Sequence, residues 1–227
     1  LEQQKRIVAV LDKAFAALDR ARALADANLA DVESLWERGQ GLFANGHFAR
    51  DVETSPEEIG HLMSQIERQR SVHRKPKHFE IAEGFAPPFD LPKDWHWVPL
   101  GNLCSHISDG VHKTPTYVSE GIPFVTVKNL TAGEGISFDE TKFITESAHA
   151  EFIKRTHPEK DDILISKDGT IGVVRRIETD KVFSIFVSVA LVKPALRELS
   201  PFLTAILATP DVQRAIVPKG AALKHLY

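Results

Sequence analysis

The first forty-two residues fall into blocks of seven, LEQQKRI VAVLDKA FAALDRA RALADAN LADVESL WERGQGL (residues 1–42), and this repeat decides the first part of the fold. Two positions of the block form an apolar seam, occupied by Ile7, Ala14, Ala21, Asn28, Leu35 and Leu42 and by Leu11, Leu18, Ala25, Val32 and Gly39. Such a seam with charged edges is typical of a coiled-coil helix. We therefore predict a coiled-coil helix over residues 1–45.

The charged edges of this helix are sorted by sign, with Arg6, Lys13 and Arg20 on one side and Asp12, Asp19, Asp26 and Glu33 on the other. A helix of this length extends roughly 60 Å, too far to bury its narrow seam alone. It therefore needs a partner helix. The alternative is an amphipathic helix that lies on a globular core.

Residues 46–90 are predicted to hold a second helix and a linker. Ser55-Pro56-Glu57-Glu58 has the residues of a capping box with proline in the first turn. The basic stretch that follows, Arg68 to Lys77, is either a solvated helix end or a phosphate contact. Glu83 to Pro92 is rich in proline and glycine and predicts a linker.

From residue 91 the pattern changes to short apolar runs between turns, which predicts a β-rich domain over 91–227. The expected strands are Trp95 to Leu100, Ile122 to Val127, Asp162 to Ser166, Thr170 to Ile177 and Val182 to Val192. Asp168-Gly169 predicts a two-residue hairpin turn. Short helices are expected over Glu146 to Lys154 and after Ser200-Pro201 and Thr209-Pro210. The predicted fold class is α+β, with mainly antiparallel strands.

Composition limits the function classes. The chain has 227 residues, of which 43% are hydrophobic and 26% charged, with a net charge of −3. These values fit a folded protein and exclude a disordered or collagen-like one. The single cysteine, Cys104, excludes an internal disulfide. No secretory signal or membrane span is expected, and a reducing cytoplasm is the default compartment.

No catalytic centre or metal site is predicted. The sequence holds no nucleophile elbow, Walker loop or dinucleotide fingerprint. Cys104, His106 and His112 have no zinc-ligand spacing. Glu140 and Lys142 have the Glu-x-Lys spacing of many metal-dependent nucleases, but without a convincing acidic partner upstream.

Hydrogen-bond donors on loops at predicted strand ends favour binding of nucleic acid. Lys and Asn side chains are among those that read guanine and adenine edges. The candidate DNA-binding residues are His112, Lys113, Thr114, Lys128, Asn129, Lys167, Thr170, Lys219, Lys224 and His225.

The chain resembles the DNA-specificity subunit of type I restriction–modification systems over nearly its whole length. Residues 1–8, LEQQKRIV, are similar to the start of that family's spacer helix. Four further segments resemble its target recognition domain in the same order: LPKDWHWVPLG (91–101), SDGVHKT (108–114), GIPFVTVKNL (121–130) and DDILISKDGTIG (161–172). Each pattern is loose, and their order makes the match specific.

The resemblance implies a non-catalytic subunit that reads one half of a bipartite site in double-stranded DNA. Residues 1–45 would be the spacer helix, 46–90 a capped helix and linker, and 91–227 a target recognition domain. Methyltransferase subunits and restriction or motor subunits would be the protein partners. S-adenosylmethionine, ATP and magnesium would be bound by those partners, with no cofactor in this chain.

The chain departs from the family pattern because one recognition domain and a second spacer helix are missing. It is therefore expected to be either a truncated subunit or a half-length subunit that associates with a second copy through the spacer helix. Two other functions remain open: a coiled-coil protein-interaction adaptor without DNA readout, and a metal-dependent nuclease that uses Glu140 and Lys142.

Overall fold

The computed structural model describes residues 2–44, 55–72, 76–87, 89–91 and 95–216. The elements in chain order are α1 Glu2–Ala44, α2 Pro56–Arg70, α3 Leu100–Leu103, β1 Cys104–Asp109, β2 Ile122–Val125, α4 Val127–Thr131, β3 Lys142–Ile144, α5 Glu146–Phe152, β4 Ile163–Ser166, β5 Val174–Arg176, β6 Ser184–Ile185, β7 Val189–Pro194, a 3-10 turn Arg197–Leu199, α6 Ser200–Ala208 and α7 Pro210–Ile216. Mixed helices and mainly antiparallel sheets agree with the predicted α+β class.

The first helix, α1, is 43 residues long and continues past Gly39. The large apolar side chains of α1 whose burial is described are exposed by 59 to 65%, namely Phe15, Leu18, Leu24, Leu29, Val32 and Leu35. From Phe15 to Val32 the helix is therefore not covered by the rest of the described chain. Near its carboxyl end α1 contacts α6 and α7, where Leu35 and Gly39 line a groove with Pro201 and Ala208. Pairing with a second helix stays a prediction.

The second helix begins as the sequence predicts. The Ser55 hydroxyl accepts from the amide of Glu58, and the Glu58 carboxylate accepts from the amide of Ser55. Hydrogen bonds from Ser55 lower the pKa of Glu58. At the other end Ile66 and Arg70 are buried, and α2 contacts β1. The helix is thus attached to the β-rich domain by its last two turns.

Residues before and within the predicted linker, Glu83 to Pro92, contact the domain. The side chain of Asn102 accepts from the amide of Phe79 and donates to its carbonyl, at 3.0 and 2.8 Å. Farther on, the rings of Phe85 and Phe89 contact Trp97 with centroids 5.7 and 5.0 Å apart. These hydrogen bonds and ring contacts thus attach the described part of this segment to the domain, although Phe79 and Phe85 are 42% and 44% exposed.

Two sheets form the domain. One has the strand order β1-β7-β4-β5 with antiparallel neighbours, and the other has the order β3-β2-β6 with β2 and β6 parallel. Leu164 and Leu191 from the first sheet pack with Val125 and Ile185 from the second in one buried cluster. A second cluster joins the first sheet to α6 through Ile163, Val192 and Leu203. The two sheets therefore share the first cluster as a common core, and the loops at their strand ends are attached to that core.

Three local predictions were wrong. Residues 95–99 form no strand, and the chain enters α3 after Pro99. The apolar run Val182 to Val192 is divided between β6 and β7, which belong to different sheets. Asp168-Gly169 is no two-residue hairpin turn, because the ladder between β4 and β5 closes at Ile165 and Val174. The loop after β4 and the turn between β6 and β7 are held by residues distant in sequence, Asp109 and Val111.

Within the described ranges, no helix has an apolar stretch long enough to cross a membrane.

Candidate nucleic-acid interface

Three segments meet where β1 ends. Gly110 donates its amide to the carbonyl of Val189, and Val111 donates to the carbonyl of Ile185. Val187 donates back to the carbonyl of Val111. A Cβ on Gly110 would lie 2.3 Å from the carbonyl oxygen of Ile185, so only glycine permits this approach. The loop after β1 is therefore locked to the turn between β6 and β7.

An ion pair ties the loop after β4 to the same place. The Lys167 ammonium lies 2.7 Å from the Asp109 carboxylate, and the lysine side chain is only 6% exposed. The amide of Lys167 donates to the carbonyl of Ser188 at 2.9 Å. A buried charge is stable only when it is paired, so this lysine holds the two loops together. We call these three connected segments, 109–114, 167–173 and 185–189, the loop frame.

Polar side chains project from the loop frame into solvent. His112, Lys113, Thr114 and Thr170 are all exposed. The His112 ring lies 3.9 Å from the Asp109 carboxylate. Among the residues that the structure describes, Lys113 has no ion pair or hydrogen bond. The structure thus brings four of the ten predicted residues to one exposed surface, with a cation available for an anionic ligand.

Two predicted residues belong to the interior instead. Lys167 was expected to flank an exposed hairpin tip, but it is buried in the ion pair with Asp109. Asn129 was expected to project from a strand end, but it is 7% exposed. Both expectations of exposure were wrong, because each side chain satisfies polar groups of its own fold.

The Asn129 amide closes the turn that begins α4. Its oxygen accepts from the amide and the hydroxyl of Thr126, at 2.8 and 3.1 Å. Its nitrogen donates to the carbonyl of Ser137 at 3.0 Å and to the hydroxyl of Thr141 at 2.8 Å. The amide is fully used, so no donor or acceptor is left for a base. Lys128, its neighbour, is exposed on α4.

Lys219, Lys224 and His225 lie outside the described residues, so their contact with DNA stays a prediction.

The sequence indicated the exposed donors but missed the residues that support them. Asp109 pairs with Lys167, and the Thr156 hydroxyl donates to the Asp109 carbonyl at 2.8 Å. Thr156 is 3% exposed. Local motifs reveal donors, whereas Asp109 acts by pairing with Thr156 and Lys167, which lie 47 and 58 positions later in the chain. The Gly110 in SDGVHKT was the one local signal, because a glycine often marks close backbone approach.

The alternative metal sites gain no support from the described part of the chain, where no group of three histidine, cysteine or acidic side chains could hold an ion. Burial raises the pKa of the Cys104 thiol to about 12, so the thiol is neutral and a poor zinc ligand. The His106 ring contacts the carbonyl of Arg155. Lys142 lies over the ring of Tyr117, 4.3 Å from its centroid.

Asp162, at the start of β4, has a structural role. Lys193 lies 2.6 Å from the Asp162 carboxylate and 2.7 Å from that of Glu159. Burial raises the pKa of Asp162 despite this lysine, whereas the hydrogen bond from Lys193 lowers the pKa of the more exposed Glu159. Lys193, which lies on β7, thus connects β7 to the residues at the start of β4.

Similar solved structures are known. One is a chain from a study of complex assembly and conformational transition of the type I R-M system, with a TM-score of 0.43, 20% identity and 88% of this chain covered. Another is the HsdS subunit from Thermoanaerobacter tengcongensis, with a TM-score of 0.40, 19% identity and 87% of this chain covered. The chain spans 43% and 44% of their respective lengths.

The first structure belongs to a type I R-M system, and the second is an HsdS subunit. No protein-family profile matches the sequence. No curated protein matches it either. Because both identities and both TM-scores are low, the role of this chain has to be inferred from its own residues.

Proposed function

We propose that this chain recognises a specific sequence in double-stranded DNA, as the specificity component of a type I restriction–modification complex. The domain after α1 would read one half of a bipartite site. Phosphate contacts would set its register on the duplex, and loop side chains would read base edges. The chain itself would perform no chemistry.

The loop frame is the observation that carries this proposal. Base readout needs side chains held in fixed positions, because each good contact contributes only about 1–3 kcal/mol of discrimination. The Lys167–Asp109 pair and the hydrogen bonds of Gly110 hold the loops rigidly. His112, Lys113, Thr114 and Thr170 are left free of core packing on that support. A rigid frame beneath exposed donors suits a reading surface.

The partners follow from the same proposal. Helix α1 would dock against a helix of a second copy or of another subunit, because its apolar row is exposed. Methyltransferase and restriction subunits would bind S-adenosylmethionine, ATP and magnesium and perform the chemistry that uses them. The compartment would be the cytoplasm, where such a complex meets DNA.

The test is selection from a randomised duplex library by the full chain mixed with its methyltransferase subunit. We expect enrichment of a short defined half-site. A palindromic pair of half-sites at one spacing would indicate two copies of this chain. Binding to the methyltransferase without any enrichment would contradict sequence recognition by this chain.

Lys113 provides a sharper variant. Lys113→Ala should weaken binding to every duplex and make the salt dependence less steep by about 0.9 in log–log slope, as for one lost phosphate contact. Lys160→Ala is the matched control, because Lys160 is exposed but already paired with Asp180 at 3.3 Å. A changed half-site with an unchanged salt slope would instead make Lys113 a base-reading residue.

A protein-interaction adaptor is the second candidate, and the exposed apolar row of α1 favours it equally. An adaptor would bind a partner subunit but no random duplex even at low salt. A salt titration with random duplex therefore separates the two functions.

A further inference from the structure

The outer edge of β1 is closed by side chains instead of by another strand. β1 is the first strand of its sheet, so one side of its backbone has no neighbouring strand among the described residues. At one end of this edge Arg70 donates to the carbonyl of Cys104 at 3.2 Å. At the other end Thr156 donates to the carbonyl of Asp109 at 2.8 Å. The segment after α5 therefore runs along β1 towards the loop frame.

Arg155 is fixed on this edge by its backbone. Its carbonyl lies 3.2 Å from Nε2 of His106. The next residue, Thr156, is buried and also contacts the Ser108 hydroxyl at 3.1 Å. Arg155 itself is exposed. Its guanidinium makes no ion pair or hydrogen bond with any residue in the described ranges.

The acidic groups of the neighbouring segments have cationic partners other than Arg155. Glu151, one helical turn earlier, pairs with Lys154 at 2.5 Å. Glu159 shares Lys193 with the buried Asp162, and Asp109 pairs with Lys167. Arg155 is therefore a cation without an acidic partner among the described residues, although the 16 cations and 16 acids of residues 91–227 cancel. A balanced domain can present a basic face in this way.

We propose that Arg155 binds a backbone phosphate of duplex DNA next to the exposed residues of the loop frame. This inference rests on the proposed function and extends its surface along β1. A guanidinium binds phosphate oxygens through two parallel hydrogen bonds. The buried hydroxyl of Thr156 links this cation to Asp109, so phosphate contact and base-reading loops share one support. Arg155 sets register and reads no base.

The experiment measures duplex affinity against salt for the full chain with its methyltransferase subunit, using the selected half-site and a scrambled duplex. Arg155→Gln should weaken binding to both duplexes by a similar factor and reduce the log–log salt slope by about 0.9. Arg155→Lys should restore the slope. Lys154→Gln is the matched control, since it removes a neighbouring exposed cation that is paired with Glu151. Thermal unfolding checks that each variant folds.

The outcomes separate the two proposals. If the chain selects a half-site and Arg155→Gln leaves the slope unchanged, the phosphate site is wrong and DNA recognition stands. An equal slope change in Arg155→Gln and Lys154→Gln also overturns the site. If the chain binds every duplex equally and Arg155→Gln reduces the slope, the site stands and sequence recognition is wrong. Absence of duplex binding at low salt overturns both.

Discussion

Helix α1 and the β-rich domain obtain their stability in different ways. The domain has a core of fully buried apolar side chains, such as Leu164 and Val189. Apolar side chains of α1, such as Leu18 and Val32, are more than half exposed. Burial supplies roughly 25 cal/mol for each Å² of apolar surface removed from water, so the domain supports itself and α1 does not. The buried core therefore belongs to the domain, whereas the apolar side chains of α1 between Phe15 and Val32 are not covered by the described part of the chain.

The largest expected change in the free energy of unfolding comes from a comparison of one leucine in each region. Leu164→Ala should lower the free energy of unfolding by about 2–5 kcal/mol, because it leaves a cavity in the shared core. Leu18→Ala should change it by less than about 0.5 kcal/mol, as for an exposed position. Urea unfolding of the dilute chain measures both. Equal losses would mean that α1 packs against the rest of the chain in solution.

A smaller loss is expected at the ion pair of the loop frame. Lys167→Met leaves the Asp109 carboxylate without its partner and should lower stability by about 1–3 kcal/mol. Lys160→Met breaks an exposed pair and should lower it by less than about 1 kcal/mol. Thermal unfolding gives the comparison. If the two variants lose the same amount, the buried pair does not hold the loops.

Selection experiments on Lys167→Met distinguish stability from readout. The variant should bind scrambled duplex as the parent chain does, because Lys167 is buried and contacts no phosphate. Its preference for the selected half-site should fall, because the loops lose their support. A full preference retained by a folded variant would assign the ion pair to stability alone.

The buried thiol gives a chemical test of the domain. The folded pKa of Cys104 is raised by burial, to about 12 from an ordinary value near 9. Its contribution to stability is therefore complete below pH 9 and is lost as the pH rises towards 12. Alkylation at pH 8 should be slow in the folded chain and fast in urea. Fast alkylation without urea would show that β1 opens readily.

The smallest effect on domain stability is expected from charges placed on α1. Leu18→Asp combined with Val32→Asp should leave the unfolding of the domain almost unchanged, since both positions are exposed. The same change should abolish association through the helix, because it places like charges on the apolar seam. Sedimentation of the full chain, with and without methyltransferase, measures association. Association that survives both changes would place the contact elsewhere.

The sequence predicted the elements whose signals are local. The heptads gave α1, the Ser55–Glu58 box gave the start of α2, and the alternation of turns and apolar runs gave the α+β class. A helix cap and a periodic seam depend on residues at most a few positions apart. Local propensity is enough to specify them.

The sequence could not predict which polar residues turn inward. Asn129 and Lys128 are adjacent and chemically suited to DNA, yet only Lys128 is exposed. The difference comes from Ser137 and Thr141, which accept from Asn129 across a loop. Lys167 likewise is buried because Asp109 lies opposite, 58 positions earlier. Such pairings arise from the tertiary fold and leave no mark at the residue itself.

The joint between α1 and α6 gives the helix the mechanics of a lever arm. Leu35 and Gly39 contact the domain near one end of α1, and Gly39 stiffens a helix less than other residues do. The remaining helix back to Glu2 extends about 55 Å, so a bend of about 5° at this joint moves its far end by about 5 Å. A partner bound at the far end of α1 would therefore move by several ångströms relative to the domain.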